Sequence, residues 1–227
     1  MEISITFIII IITALVSIGG FNNARIIDDL IFYPPAVSER NQWYRFFSCG
    51  IIHADWGHLI FNMYALYMFG AGKNGVEDFF RQLFGSKGPL LYLAMYIVAL
   101  AICLIPTYIK HKHNYAYRSL GASGAVSAVV FAYVLFNPMA RMGIMFIPIM
   151  IPGFIFGILY LVISSWLAKR GRGNINHSAH IWGAIFGVVF VAVACLTLSD
   201  YPVLQIFVEE IKNLDPSKII TFGGGFR

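Results

Sequence analysis

The chain predicts an all-α membrane protein built from six transmembrane helices, and three observations carry that expectation. Of its 227 residues, 59% are hydrophobic and 12% charged, with a mean hydropathy of +0.74; a soluble domain usually carries about 25% charged residues. Six apolar runs follow one another: Ile3–Ile18, Ile51–Phe69, Leu90–Ile109, Leu120–Phe136, Ile144–Leu167 and Ala179–Leu198. The runs are continuous, whereas the strands of an outer-membrane barrel alternate between lipid-facing and lumen-facing residues.

A spanning helix needs about 20 residues, so the first run is short. Glu2 stands where a secretory signal would be basic, and no small-x-small cleavage site follows. The run therefore reads as a membrane helix rather than a signal peptide. Gly19-Gly20 and then Asn22-Asn23 are expected to stop it. In Phe21–Phe47 the apolar pairs Ile26-Ile27, Leu30-Ile31 and Phe32-Tyr33 surround Pro34-Pro35. They predict short pieces lying in the membrane interface. Pro148, Pro152 and Gly153 would suit a fifth helix that can bend, or one that is statically kinked, because proline removes a backbone donor. The tract Lys169-Arg170-Gly171-Arg172 reads as a loop facing headgroups. After the sixth run, Val203, Phe207, Ile211 and Leu214 recur at helical spacing against Glu209, Glu210 and Lys212. This divides the chain into a membrane domain, residues 1–200, and an amphipathic tail, residues 201–227. The tail is expected to lose order at Gly223-Gly224-Gly225.

The net charge of +5 is spread over many loops, without a basic stripe interleaved with aromatics, so nucleic acid is not an expected partner. Lys and Arg divide almost evenly between the two sides of the six-span plan, which leaves orientation undetermined by charge. Cys49, Cys103 and Cys195 read as small hydrophobes rather than a disulfide framework.

With six spans, the second, fourth and sixth run the same way, so their N-terminal portions share one face of the membrane. These portions hold the notable polar residues: His53, His58 and Asn62 in the second, Ser123 in the fourth and His180 in the sixth. The odd runs offer nothing comparable. Polar groups inside a membrane are costly and mark function by default. A serine beside a histidine is the minimum equipment for nucleophilic hydrolysis, the imidazole taking the hydroxyl proton during attack. Close helix contact in membranes uses small residues at four-residue spacing. The fourth run has Gly121, Gly124/Ala125, Ala128 and Ala132, and the sixth has Gly183 and Gly187.

His58 and Asn62, four apart, lie on one helix face. With the Ser123 backbone N–H at a helix start, they could stabilise an oxyanion. His53, about 140° around such a helix from His58, is expected at the entrance. Asp28, Asp29 and Asp55 lie in the first loop or at the edge of the second run, so a Ser–His dyad is the expected machinery.

These residues resemble the rhomboid family of intramembrane serine proteases, from about Gln42 to Gly187. Gln42-Trp43-Tyr44-Arg45 is similar to the family's Q-x-W/Y-R motif. His53-x4-His58-x3-Asn62 resembles its second-helix signature, Gly121-Ala122-Ser123-Gly124 its serine motif, and Ala179-His180-x2-Gly183-x3-Gly187 its histidine motif. The resemblance implies a six-helix bundle in which Ser123 and His180 are catalytic and His58 and Asn62 form the oxyanion hole. It also implies transmembrane protein substrates cleaved near the membrane surface, no cofactor, both termini cytoplasmic and a site opening outward. The first loop, the fifth helix and the loop before the sixth would control access. The compact plan suggests a multi-pass protein of a bacterial inner membrane. One position departs: some members carry a tyrosine four residues after the serine, its ring on the histidine, and here Ser127 stands there.

Two alternatives differ in class. A rhomboid-like pseudoenzyme that binds membrane proteins would lack the serine or the histidine, and both are present. A metal enzyme would read His53-x4-His58 and His177-x2-His180 as histidine boxes. Six histidines are few for such sites, and the H-E-x-x-H zinc signature is missing, so no metal is expected.

Overall fold

The computed structural model describes residues 4–72, 74–143, 149–170, 175–216 and 219–222. Helix α1 (Ile5–Asn22) is followed by three short helices, α2 (Ala24–Leu30), α3 (Pro34–Arg40) and α4 (Arg45–Ser48). Helix α5 (Trp56–Leu66), capped by the Asp55 carboxylate on the His58 N–H, runs into a π turn over Tyr67–Ala71. Then come α6 (Val76–Phe84), α7 (Gly88–Ile102), α8 (Ile105–His111), α9 (Ser123–Phe136), α10 (Gly153–Arg170), α11 (His177–Leu198) and α12 (Val203–Lys212). By length and composition, α1, α11 and a stretch within Trp56–His111 can each cross a membrane, while α9 and Gly153–Lys169 are shorter apolar helices. The protein is a mostly helical membrane protein with several apolar spans.

Helix α9 is the axis of the bundle. Of its residues, only Ser123, Val130 and Tyr133 escape full burial. α5, α6, α7, α10, α11 and α12 all pack on it, with α11 the closest partner. The main core joins Leu59, Met63 and Leu66 of α5, Tyr92 and Met95 of α7, Ala125, Val129 and Ala132 of α9, and Val191 of α11. A smaller cluster of Phe32, Val37, Phe46, Cys49, Cys103 and Leu104 seats the short helices that precede α5. Large apolar side chains such as Leu15, Ile60, Val162 and Leu196 face outward, as a hydrocarbon solvent requires.

Several boundaries differ from the sequence expectation. Of the two expected stops, Asn22-Asn23 ends α1, with Asn23 as its C-cap, whereas Gly19-Gly20 lies inside the helix. The glycines instead let α2 fold back against the helix: a Cβ on Gly20 would lie 2.6 Å from Ile27 Cδ1. Pro152 and Gly153 do not bend the fifth apolar helix. Ile149–Pro152 forms a strand and α10 starts only at Gly153; Pro148 lies outside the described residues. That strand pairs antiparallel with Arg141–Met142 on one side and Thr221–Phe222 on the other, so the fold is not wholly helical. The third run breaks near Cys103-Leu104, ahead of Pro106, into α7 and α8. The amphipathic helix of the tail occupies Val203–Lys212, while Gly223–Gly225 and Gly171-Arg172 lie outside the described residues.

Helix α6 supplies an anchor that hydrophobic patterning does not reveal. Buried Glu77 accepts hydrogen bonds from Ser4 Oγ (2.7 Å), the Ile5 and Thr6 backbone N–H groups (2.8 and 3.0 Å) and Thr6 Oγ1 (2.8 Å), and Arg81 pairs with it at 2.9 Å. A carboxylate there satisfies the unpaired N–H groups of the first turn of α1 and complements its dipole. Glu77→Ala is expected to destabilise the fold by about 2–3 kcal/mol, through buried donors stripped of a charged acceptor. Reversible unfolding in mixed micelles measures it, and wild-type stability would refute this role.

Candidate active site

The chain between α8 and α9 is tied down at three points before it reaches Ser123. Phe32 and Ser119 exchange backbone hydrogen bonds, the Gly121 N–H donates to the Cys49 carbonyl at 2.9 Å, and the Ala122 N–H reaches His53 Nε2 at 3.4 Å. His53 does not stand at an entrance: it is fully buried, with Nδ1 3.0 Å from Ser17 Oγ of α1. With Nε2 accepting from Ala122, Nδ1 carries the proton toward Ser17, whose hydroxyl donates to the Ile51 carbonyl at 3.1 Å. His53 thus props the backbone beside Ser123. The short residues before α5 explain the difference, because His53 precedes the helix instead of lying on it.

Gly121 adopts φ +112°, and a Cβ there would lie 2.5 Å from His58 Cε1 and 2.8 Å from Nε2. Glycine meets both demands, a left-handed backbone and room for the imidazole edge. Asn62 is buried one turn further along α5, its Nδ2 donating to the His58 carbonyl at 2.9 Å.

Ser123 opens α9, so its N–H lies in a first turn without intrahelical acceptors. His180 lies one turn into α11, whose start is fixed by Asn176: Oδ1 accepts from the Ala179 N–H, and Nδ2 donates to Thr107 Oγ1 of α8 at 3.1 Å. Ser123 Oγ and His180 Nε2 are 2.7 Å apart. Two glycines permit that approach. A Cβ on Gly183 would meet the Gly124 carbonyl oxygen at 2.0 Å, and one on Gly187 the Ala128 oxygen at 2.2 Å.

The Gln42–Arg45 motif is a clamp on the first loop. Arg45, almost fully buried, donates through Nε to Gln42 Oε1 (2.6 Å) and through Nη1 to the Asp28 and Ile31 carbonyls (2.9 and 2.7 Å). A cavity of about 680 Å³ is lined by Ser123, His58, Phe61, Gly121, Tyr117 and Asn176, among others. Cys49 also borders it, and burial pushes its thiol up to about 12. Among the described residues, no group of three or more His, Cys, Asp or Glu side chains could hold a metal ion.

Ser127 does not touch His180 directly. Its hydroxyl donates to the Ser123 carbonyl at 2.8 Å and lies 2.7 Å from the hydroxyl of Tyr160, a residue of α10 whose ring faces His180. Sequence reasoning gave the odd runs no polar part and missed Tyr160. A tyrosine within an apolar run that also holds the small residue Gly157 was the available signal.

The architecture is that of a multi-pass helical membrane protein with a serine and a histidine in contact at the heads of two adjacent helices. Residues 40–197 match the Rhomboid domain, and the chain belongs to the rhomboid family. It is 27% identical over 174 residues to presenilin-associated rhomboid-like protein A, mitochondrial, of Danio rerio, covering 74% of this chain and 42% of the relative. RHOMBOID-like protein 12, mitochondrial, of Arabidopsis thaliana is 29% identical over 145 residues (60% and 42%). Rhomboid-like protein 11, chloroplastic, of the same plant is 28% identical over 170 residues (70% and 54%). The chain thus spans about half or less of the length of these relatives.

Gly183→Ala is expected to force α11 off α9 and to slow any chemistry of the Ser123–His180 pair about a hundred-fold, the cost of roughly 1 Å of misplacement. The rate of covalent modification of Ser123 measures it. A wild-type rate would mean that the contact tolerates the methyl.

Proposed function

We propose that the protein is an intramembrane serine endopeptidase that cleaves transmembrane protein substrates within or near the membrane. The observation that carries this reading is the 2.7 Å contact between Ser123 Oγ and His180 Nε2 beside a cavity that also admits His58. Family membership supports it, since rhomboids are typically proteases of this kind. In this reading the six spans are α1, α5 with its π turn, α7–α8, α9, α10 and α11, within a membrane domain of residues 1–200 and a tail of residues 201–227.

His180, neutral with its proton on Nδ1, takes the Ser123 hydroxyl proton at Nε2 as Oγ attacks the scissile carbonyl. The oxyanion forms against the Ser123 N–H, the His58 imidazole and the amide of Asn62. His180 then protonates the leaving amine, and water entering through the cavity resolves the acyl-enzyme by the same base. Every group in this sequence is a side chain or backbone amide of the chain, so the reading includes neither metal nor cofactor. The compact plan supports a bacterial inner membrane, whereas two of the three relatives above carry mitochondrial names and one a chloroplastic name.

A fluorescent fluorophosphonate is expected to label the detergent-purified protein on Ser123, with labelling lost in Ser123→Ala and His180→Ala. A folded wild type that takes no label and cleaves no single-span substrate would reduce the protein to a binder. Asn62→Ala is expected to slow turnover by roughly ten- to a thousand-fold, as loss of one oxyanion donor does. Unchanged turnover would give that role to another group.

A further inference from the structure

Two rings neighbour His180. His177, one turn earlier on α11, meets it edge-on, with centroids 5.7 Å apart and planes at 77°. Tyr160, from α10, lies closer to parallel, at 6.2 Å and 21°. The Tyr160 ring is itself held by Phe131 of α9 at 5.5 Å, and Gly157, one turn earlier, keeps α10 close to Phe131. Its hydroxyl is held too. Since the Ser127 hydroxyl donates to the Ser123 carbonyl, the Tyr160 hydroxyl must be the donor in the 2.7 Å contact with Ser127 Oγ. One chain of contacts therefore runs from the backbone of the nucleophile, through Ser127 and Tyr160, to the face of the base, crossing three helices.

We infer that Tyr160 is the positioning residue of His180, delivered by α10, and that the seating of α10 on α9 governs whether the base is aligned. This rests on the Ser123–His180 reading. The position four residues after the nucleophile, occupied by Ser127, supplies the hydroxyl that holds the ring rather than the ring itself. A ring on a different helix from both dyad members has a consequence: any displacement of α10 that parts Tyr160 from Ser127 also frees the imidazole to rotate.

The test is fluorophosphonate labelling of the full chain, resolved into a maximal inactivation rate and an apparent binding constant for the probe. Tyr160→Leu is expected to lower the maximal rate about ten-fold or more while the binding constant stays near wild type, because alignment and not access is lost. Tyr160→Phe and Ser127→Ala each remove one oxygen from the link and are expected to lower the rate several-fold. Combined, they should cost no more than either alone, as two ends of one contact do. If Tyr160→Leu does not fold, this cycle carries the test. Losses that add in the double variant, a wild-type rate in Tyr160→Leu, or a change confined to the binding constant would overturn the inference. Absence of labelling in the unaltered protein would instead remove the Ser123–His180 reading, and this inference with it.

Discussion

The near-contact of α9 and α11 is the constraint on which the site depends. A hydrophobic driving force is absent between helices in lipid, so their association rests on close van der Waals contact and hydrogen bonds. Here the two backbones approach so closely that Gly183 and Gly187 face the Gly124 and Ala128 carbonyls without room for a methyl group. The 2.7 Å Ser–His contact one turn above follows from that spacing. The rest of the bundle holds the pair in place, with α9 buried along nearly its whole length.

A second set of contacts fixes the backbone that leads into Ser123, and it is polar where the helix pair is apolar. Ser17, His53 and Ala122 form a buried relay from α1 to the residue before Ser123, and the Cys49 carbonyl holds Gly121. Arg45 performs the same service for the first loop, its guanidinium capping the carbonyls that the short helices leave open. Buried polar groups are costly unless paired, so such relays specify one loop conformation and penalise others.

Much of this was legible in the sequence because the signals were local. Continuous apolar runs gave membrane helices, and the small residues Gly124 and Ala128 on one run and Gly183 and Gly187 on another, each pair four apart, gave the facing surfaces. The parity of the runs put His58, Ser123 and His180 at one level. Three things were not legible. A helical angle for His53 fails because the helix starts only after Asp55. Glu77 lies between the second and third apolar runs, and only the folded position of α1 makes it a cap. Tyr160 and Gly157 in one apolar run mark a polar group on a close-packed helix, but that its ring faces His180 is a long-range fact, set by α10 against Phe131.

The pairing of Thr221–Phe222 with Ile149-Met150 bears on biosynthesis. The ribosome makes the inner strand long before its outer partner, with α10, α11 and α12 between them. While those helices emerge, Ile149–Pro152 has Arg141–Met142 on one edge and an open ladder on the other. An open edge invites wrong partners. Closure of the sheet is therefore a late event in assembly, and the foot of α10 gains its second flanking strand only after α11 has been synthesised.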